Sequence, residues 1–308
     1  MEKETINLGV YYNQVKDEVL KASTAPRILY STGLKTLDPF YKIRPKGTTY
    51  IHGAPFSGKS EITFEIITNL ARVHNHRSII YSPETGTPEE IYEKIIECVI
   101  DNGIENFTKI SDDDMRLVND FVHEMFYVID NGDNDLDIFG LYEQVEMAIK
   151  SNPKKKYDYL VIDPFNELVT SYGKEPRDEV LSKMLGRIRK KSRVLDFHTF
   201  VVFHSAKQEE VEVNIDGQKV RFVPPASPHR IAGGETPFRK GEMVLCIWRP
   251  PVTLKDDYGI FYEDNDTIVF IQKYKPYWTG RIGKVRLKYV SKTKNYLYEE
   301  YGQWKPAE

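Results

Sequence analysis

The stretch "IHGAPFSGKSE", residues 51–61, matches the pattern G-x-x-x-x-G-K-[ST] in full. The preceding "GTTYIHG" is apolar and β-branched, as in a buried strand, and the following "EITFEIITNLARV" repeats its apolar residues at helical spacing. A phosphate-binding loop requires this strand–loop–helix context, so the pattern predicts one here. The residues expected to contact the phosphates are Gly53, Ala54, Pro55, Phe56, Ser57, Gly58, Lys59 and Ser60.

The residue types in this loop suit the chemistry of polyphosphate binding. Glycines let the backbone curl so that successive N–H groups point at phosphate oxygens, and the helix N-terminus adds partial positive charge. Lys59 can reach the β- and γ-phosphates, and the Ser60 hydroxyl can ligate Mg²⁺. We therefore expect ATP and Mg²⁺ as cofactors. The alternative, a glycine-rich turn that matches by accident, leaves the flanking strand and helix unexplained.

Length and composition indicate one enlarged α/β domain. The chain has 308 residues, 40% of them hydrophobic, which is enough for one large core. Cys98 and Cys246 stand far apart and outside any metal-binding spacing, which favours a reducing compartment without disulfides. There is no signal-peptide core and no apolar run long enough for a bilayer. We expect a cytoplasmic protein with no membrane partner.

Charge is unevenly distributed along the chain. The net charge of −3 argues against a surface coated for nucleic-acid binding, but it is compatible with a local groove. Residues 268–298 contain eight Lys or Arg and no Asp or Glu. By itself, such a stretch is more often a solvated face of a strand or hairpin than a binding surface.

Strands alternate with helices along most of the chain. Apolar runs at 77–83, 126–130, 157–163, 198–205 and 243–249 are separated by helical patterns at 88–101, 138–150 and 178–195. This alternation predicts an α/β fold with a mostly parallel central sheet covered by helices on both faces. From residue 268, short strands separated by turn residues predict antiparallel strands at the C-terminal end. Residues 209–225 predict a hairpin that turns at Asp216-Gly217.

The N-terminal region differs from the rest. Residues 11–22 predict a short amphipathic helix with Val15, Val19 and Leu20 on one face, followed by a linker of turn formers. A helix of this length does not fold alone, so it must pack on its own core or on a neighbour. We divide the chain into residues 1–30, the helix and linker, and residues 31–308, the nucleotide-binding domain.

Three polar residues that follow apolar strands are candidates for catalysis, because ligands of open α/β sheets lie beyond the carboxyl ends of the strands. Asp163 can hold Mg²⁺, or it can simply start a turn before a proline. Glu84, at the end of a strand that we expect beside the phosphate-loop strand, can act as a general base, or it can begin a helix. His204 can contact the γ-phosphate, or it can be structural.

Four segments in this order resemble a known family: "STGLKTLDPFYKIRPKGTTYIHGAPFSGKSE", "YSPE", "VIDPFNEL" and "FVVFHSAKQ". They look like the helicase domain of Twinkle and DnaB-type replicative helicases, which are hexameric RecA-like motors. The resemblance covers about residues 31–298, and "IDPFNEL" is its most specific piece. The resemblance implies a RecA-like P-loop NTPase fold.

The resemblance also implies roles for individual residues. Lys59 and Ser60 match the phosphate-loop pair, Glu84 the catalytic glutamate, Asp163 the Mg²⁺ carboxylate and His204 the polar sensor. The implied DNA-binding positions lie in the loops after His204 and are Lys207, Arg230, Gly233 and Gly234. Arg249 matches the arginine that commonly closes the next strand.

Two features depart from the family pattern. The family carries K-x-R after a late strand, with the arginine reaching into the neighbouring subunit as a finger, whereas "IQKYKPYW" supplies Lys273 and Lys275. Lysine lacks the planar fork of arginine, so Lys275 serves less well or Arg281 replaces it. No primase module precedes the motor, which implies a separate primase or loader. The resemblance assigns the N-terminal helix to docking on the adjacent subunit.

Together, the residues and the resemblance predict an ATP-driven helicase or translocase that acts on single-stranded DNA as a homo-oligomeric ring, in a phage or plasmid-like replication system in a bacterial cytoplasm. Two alternatives stay open. One is a RecA-superfamily recombination or regulatory ATPase that does not unwind DNA. The other is a non-catalytic nucleotide-binding scaffold, suggested by the lysine at the finger position.

Overall fold

The computed structural model describes residues 11–100, 110–130, 132, 136–168 and 175–307. Its helices are α1 Tyr12–Thr24, α2 Lys59–His74, α3 Pro88–Ile100, α4 Asp112–Met125, α5 Ile138–Ser151, α6 Arg177–Val194 and α7 Glu235–Lys240. Its strands are β1 Thr48–Gly53, β2 Ser78–Tyr81, β3 Phe126–Val128, β4 Tyr159–Ile162, β5 His198–His204, β6 Val211–Ile215, β7 Gln218–Phe222, β8 Met243–Trp248, β9 Asp266–Lys273, β10 Gly283–Val290, β11 Asn295–Glu300 and β12 Gln303–Pro306.

Ten strands form one sheet in the order β12-β11-β10-β9-β8-β1-β5-β4-β2-β3. The pairs from β8 to β3 are parallel, and the pairs from β8 to β12 are antiparallel. The predicted fold class, a mostly parallel sheet that ends in antiparallel strands, is confirmed. The predicted strands and helices of the core all form, within a few residues of their predicted limits.

Helices cover both faces of the sheet. Phe64 of α2 and Ile95 of α3 belong to one apolar cluster, whereas Tyr142 of α5 and Leu185 of α6 belong to another. Every residue of β1 is buried, as expected for a central strand with helices on both sides. The sheet therefore separates two cores, and its strand ends are the places where polar groups reach solvent.

The order of the parallel strands corrects one prediction. We expected Glu84 to follow a strand beside β1, but β1 is flanked by β5 and β8, and β2 lies beyond β5 and β4. Parallel strands are joined by long crossovers, so neighbours in sequence need not be neighbours in the sheet. The β5 strand, buried over six of its seven residues, takes the central place that we assigned to β2.

Helix α4 and strand β12 were not predicted. Ser111 caps α4 by accepting a hydrogen bond from the Asp114 amide, and three acidic residues fill its first turn, Asp112, Asp113 and Asp114. That cap was a readable signal. Strand β12 has only four residues and half-exposed or exposed side chains, so its sequence carries little periodicity.

The predicted hairpin forms from β6 and β7. Its turn residues Asp216 and Gly217 have φ of 51° and 86°, the left-handed conformations that two-residue hairpin turns require. Apolar residues of both strands pack on Trp248, whose indole nitrogen donates to the Val223 carbonyl at 2.9 Å. Lys255 pairs with Asp216 at 2.6 Å and holds the hairpin tip.

The basic C-terminal strands are largely neutralised within the chain. Lys284 pairs with Asp257 at 2.6 Å, Arg286 with Asp266 at 2.5 Å, and Lys288 with Glu263. The three acids lie in the segment just before the basic stretch and within the start of β9. This part of the basic stretch therefore does not form a free cationic groove.

The N-terminal helix α1 is almost entirely exposed. Val15 is the one half-buried side chain among those described in it, and Val19 and Leu20 are 46% and 47% exposed. The linker is attached more firmly, since Arg27 stacks over the rings of Tyr277 and Trp278 at 5.7 and 5.2 Å. Among the described helices, none has the length and apolarity needed to cross a membrane.

We expect two buried histidines to make stability depend on pH. Burial lowers the pKa of His52 to about 4 and of His198 to about 3, below the ordinary value near 6.5. The unfolded chain therefore binds more protons than the folded one between about pH 6.5 and 4, and stability is lost as the pH falls through that window. Each histidine contributes up to about 3 kcal/mol. Urea unfolding from pH 7 to 5 should show a shallower slope for His198→Gln, and an unchanged slope would contradict the assignment.

Candidate active site

The phosphate loop connects β1 to α2 through positions that only glycine fits. A Cβ on Gly53 would lie 2.3 Å from the Ile247 carbonyl oxygen. Gly58 caps α2 with φ of 91°, and a Cβ there would lie 2.7 Å from the Tyr296 hydroxyl. The loop thus presses against β8 and β11, so its curl is imposed by packing as well as by sequence.

Lys59 lies inside the loop. Its side chain is 8% exposed, and Nζ donates to the Ala54 carbonyl at 3.0 Å. Burial lowers the pKa of Lys59, while the nearby carboxylates of Asp163 and Glu84 oppose that change. The ammonium is therefore held where the loop would place phosphate oxygens.

Asp163, directly after β4, suits a divalent cation. It is 4% exposed, accepts a hydrogen bond from Ser60, and its Oδ2 is buried without a hydrogen-bond partner. Burial raises the pKa of Asp163 to about 6. A buried carboxylate oxygen beside a serine hydroxyl is a hard oxygen donor set, which fits Mg²⁺ carried by a nucleotide. A bound cation would favour the ionised carboxylate.

Glu84 and His204 meet across the mouth of the site, although their strands are not neighbours. Glu84 Oε2 lies 3.1 Å from His204 Nε2. The His204 amide donates to Asn166 Oδ1 at 3.2 Å, so a residue of the predicted "IDPFNEL" segment positions the backbone of His204. Both side chains are open to solvent, with 54% of Glu84 and 37% of His204 exposed. The carboxylate is thus accessible to a water molecule.

These residues line one cleft of about 520 Å³. Its lining comprises Pro55, Phe56, Gly58, Lys59, Ser60, Glu61, Glu84, Thr85, Lys94, Asp163 and His204. The structure therefore brings together the predicted loop, metal, base and sensor positions. A smaller recess of about 280 Å³ continues from it past Tyr289.

Sequence reasoning missed two contributors to the cleft. Lys94 of α3 carries a second cation into it and lies 3.4 Å from Glu61. Arg249 was predicted only as a strand-closing residue, but its guanidinium stacks on Tyr289 at 5.1 Å, beside Gly58. No motif marks Lys94 or Tyr289, because each reaches the site through the packing of a distant element.

The implied DNA-binding segments lie next to each other and next to His204. The Ala206 amide donates to the Arg230 carbonyl at 2.7 Å, and the Ala232 amide donates to the His204 carbonyl at 2.8 Å. Lys207 and Arg230 are exposed. Gly233 and Gly234, with φ of 99° and 73°, turn the chain into α7. A short antiparallel bridge thus ties this loop to the end of β5.

The finger candidates lie at the opposite edge of the sheet. Glu242, which begins this region, accepts from the Thr48 amide at the start of β1, roughly 20 Å along the strand from the phosphate loop. Lys273 donates to the carbonyls of Phe238 and Arg239 at 2.5 and 3.2 Å, and burial lowers its pKa to about 8. Lys273 is therefore engaged within its own chain.

Lys275 and Arg281 differ in their surroundings. Lys275 is exposed and lines a recess of about 340 Å³. Arg281 stacks on Phe40 at 4.3 Å, and its amide donates to the Phe40 carbonyl at 2.9 Å. The recess around Lys275 is strongly cationic, which the sequence did not reveal because its members are scattered: Arg44, Arg189, Arg193, Arg239, Lys240 and Lys275, with Glu242 pairing to Arg44 and Arg193.

Comparison with known proteins identifies the fold. At the level of sequence, no family model and no curated protein matches this chain. The structure is similar to a solved ATPase domain of a DnaB-like replicative helicase, with a TM-score of 0.68 and 15% identity, over 94% of this chain and 99% of that one. It is also similar to "The Structure Of A DnaB-Like Replicative Helicase And Its Interactions With Primase", with a TM-score of 0.66 and 16% identity, over 96% of this chain and 68% of that one. The fold is that of DnaB-like helicase ATPase domains.

We expect Glu84→Gln to separate nucleotide binding from hydrolysis. The amide keeps the size of the carboxylate but cannot accept a proton, so turnover should fall about 10²–10⁴-fold while ATP and Mg²⁺ affinity change little. Glu89→Gln, an exposed glutamate five residues away on α3, is the matched control. Single-turnover hydrolysis and nucleotide titration provide the measurements. Equal losses of binding and hydrolysis would mark Glu84 as structural.

Proposed function

We propose that this chain is a DnaB/Twinkle-type motor that hydrolyses ATP to move along single-stranded DNA, as a hexameric ring in a replication system. The observation that carries the proposal is the joint placement of Lys59, Asp163, Glu84 and His204 in one cleft. The fold supports it, because the similar helicase domains align over nearly the whole chain.

Each residue has a distinct task in hydrolysis. Lys59 and the loop amides bind and orient the triphosphate, and Ser60 with Asp163 holds the Mg²⁺, which neutralises charge on the phosphates. Glu84 orients a water molecule for attack and accepts its proton, since its carboxylate is solvent-accessible at the mouth of the cleft. His204, hydrogen-bonded to Glu84, distinguishes a cleft with a γ-phosphate from one without it.

The end of β5 couples this chemistry to DNA. A movement of His204 is passed through the backbone bridge to Arg230 and the loop that follows. Lys207 and Arg230 provide exposed cations for the phosphodiester backbone. Binding should therefore depend strongly on salt and weakly on base sequence.

A ring arrangement explains the position of the cationic recess. Within one chain the cleft contains only two cationic side chains, Lys59 and Lys94, among the residues described as lining it. Lys275 and its recess, at the far edge of the sheet, cannot reach that cleft but can reach the cleft of an adjacent subunit. We therefore place the finger at Lys275, because Lys273 and Arg281 are held by contacts in their own chain.

Strand displacement tests the proposed activity directly. Purified protein with ATP and Mg²⁺ should separate a forked duplex with a single-stranded tail, and Lys59→Ala should not. Hydrolysis stimulated by DNA without displacement would instead favour a RecA-like recombination or regulatory ATPase. Tight nucleotide binding with negligible turnover would favour a non-catalytic scaffold.

Mixed rings test the finger. Lys275→Ala and Lys59→Ala protein should each lack DNA-stimulated turnover, because each loses one half of every site. Their mixture should regain activity, since some interfaces join an intact loop to an intact finger. Lys275→Arg should keep or raise turnover because its fork can contact two phosphate oxygens. Complementation by Arg281→Ala, tested in place of Lys275→Ala, would move the finger to Arg281, and no complementation would leave catalysis within one subunit.

We propose that residues 1–30 form a docking element and that α1 packs on the neighbouring subunit. The exposure of Val19 and Leu20 in the isolated chain supports this, because an apolar helix face needs a partner. Deleting residues 1–24 should leave a folded domain that assembles poorly and hydrolyses slowly at low concentration. Light scattering with an ATP analogue measures the assembly, and an unchanged ring would contradict the proposal.

Partners and location follow from the same proposal. One similar structure is described with its interactions with primase, which supports a separate primase or loader as a partner of this chain. A phage-encoded motor of this kind would work in the host bacterial cytoplasm.

A further inference from the structure

A line of hydrogen bonds runs behind the phosphate loop and links four segments of the chain. His52 Nε2 lies 2.7 Å from Gln272 Oε1, and His52 Nδ1 lies 3.3 Å from Ser205 Oγ. Gln272 Nε2 donates to the Ala226 carbonyl at 2.7 Å. His52 is fully buried in the middle of this line. We call these four residues the polar relay.

The direction of each bond in the polar relay follows from chemistry. Gln272 uses its amide nitrogen to donate to a carbonyl, so its oxygen must face His52 and accept. His52 therefore carries its proton on Nε2, and Nδ1 accepts from the Ser205 hydroxyl. Burial favours this neutral imidazole, because it lowers the pKa of His52 to about 4. The relay therefore has a single consistent arrangement of protons.

Each member of the polar relay is adjacent in sequence to a position of the proposed motor. His52 precedes Gly53 of the phosphate loop, Ser205 follows the sensor His204, and Gln272 precedes Lys273 on the strand that leads to the finger. Ala226 lies in the segment between the hairpin and the proposed DNA loop. A rearrangement at any of these places therefore reaches the other three through side-chain contacts.

The bond between His52 and Ser205 is the adjustable one. At 3.3 Å it is near the limit for a hydrogen bond, whereas the other two are short. A shift of a few tenths of an ångström at the end of β5 would tighten or break it. The relay thus has two arrangements that nucleotide can bias, which is the physical requirement for coupling between sites.

We propose that His52 and Gln272 are positioning residues that transmit the nucleotide state of the phosphate loop and sensor to the finger strand and to the segment at Ala226. The proposal rests on the proposed function for its DNA readout, but not for its structural readout. Neither residue touches nucleotide in this assignment. Each acts by fixing where Ser205, Lys273 and Ala226 stand.

Another buried histidine provides the matched control. His198 lies at the start of β5, is 1% exposed, and bonds Thr49 Oγ1 at 2.9 Å and the Arg44 carbonyl at 2.7 Å. It resembles His52 in burial and in number of bonds, but it lies at the sheet edge away from the cleft. Its replacement should affect stability without affecting coupling.

The experiment compares His52→Gln, Gln272→Leu and Gln272→Glu with His198→Gln and the parent protein. Single-stranded oligonucleotide affinity is measured with and without a non-hydrolysable ATP analogue, and the ratio is the coupling factor. We expect the ratio to fall at least fivefold in the His52 and Gln272 variants, within the usual range of coupling between sites. Analogue affinity should stay within about threefold, and His198→Gln should keep the parent ratio. Gln272→Glu accepts from His52 but cannot donate to Ala226, so it tests the second half of the relay.

Amide hydrogen exchange gives a readout that needs neither DNA nor turnover. Adding the analogue should change the protection of Ala226, Ser227 and the amides of 273–275 in the parent and in His198→Gln, and not in the relay variants. Unchanged coupling and unchanged protection responses in His52→Gln and Gln272→Leu would overturn the proposal and leave the relay as a packing feature. If DNA affinity of the parent does not respond to nucleotide, the proposed function fails, and the exchange comparison alone decides the relay.

Discussion

The close approach of the phosphate loop to β8 and β11 is the constraint on which the rest of the site depends. Gly53 leaves room for the Ile247 carbonyl, and Gly58 leaves room for the Tyr296 hydroxyl. Because both contacts are with strands of the same sheet, the loop, the start of α2 and Lys59 are fixed relative to the whole core. The triphosphate site is therefore part of the sheet and not an appended loop.

Electrostatics divides the sheet between its two edges. The carboxyl ends of β2, β4 and β5 bring carboxylates and a histidine to the phosphate loop, which suits metal binding and proton transfer. The other edge gathers cations around Lys275. A single chain thus presents two complementary halves of a site about one strand length apart, and this separation is the physical argument for assembly. The net charge of −3 conceals it, because a sum over the chain does not depend on position.

Buried polar groups account for the remaining connections. His52 and His198 are both neutral and hydrogen-bonded inside an apolar core, where an unpaired polar group would cost stability. One joins elements around the cleft, and the other ties the opposite edge to Arg44. Similar chemistry thus serves different purposes according to the end of the strand at which it lies.

Local and periodic signals determined much of this protein from sequence. The complete phosphate-loop pattern, the apolar runs and the Asp-Gly turn each depend on residues close together in the chain, and the structure bears out all three. Tertiary structure alone decided the strand order, which removed β2 from the side of β1, because crossover connections do not specify which neighbours they bring together. It also decided the meeting of Glu84 with His204, the arrival of Lys94 in the cleft and the cationic recess. These groups are separated by tens to hundreds of residues, and only the packing of helices on a sheet fixes the distances between them.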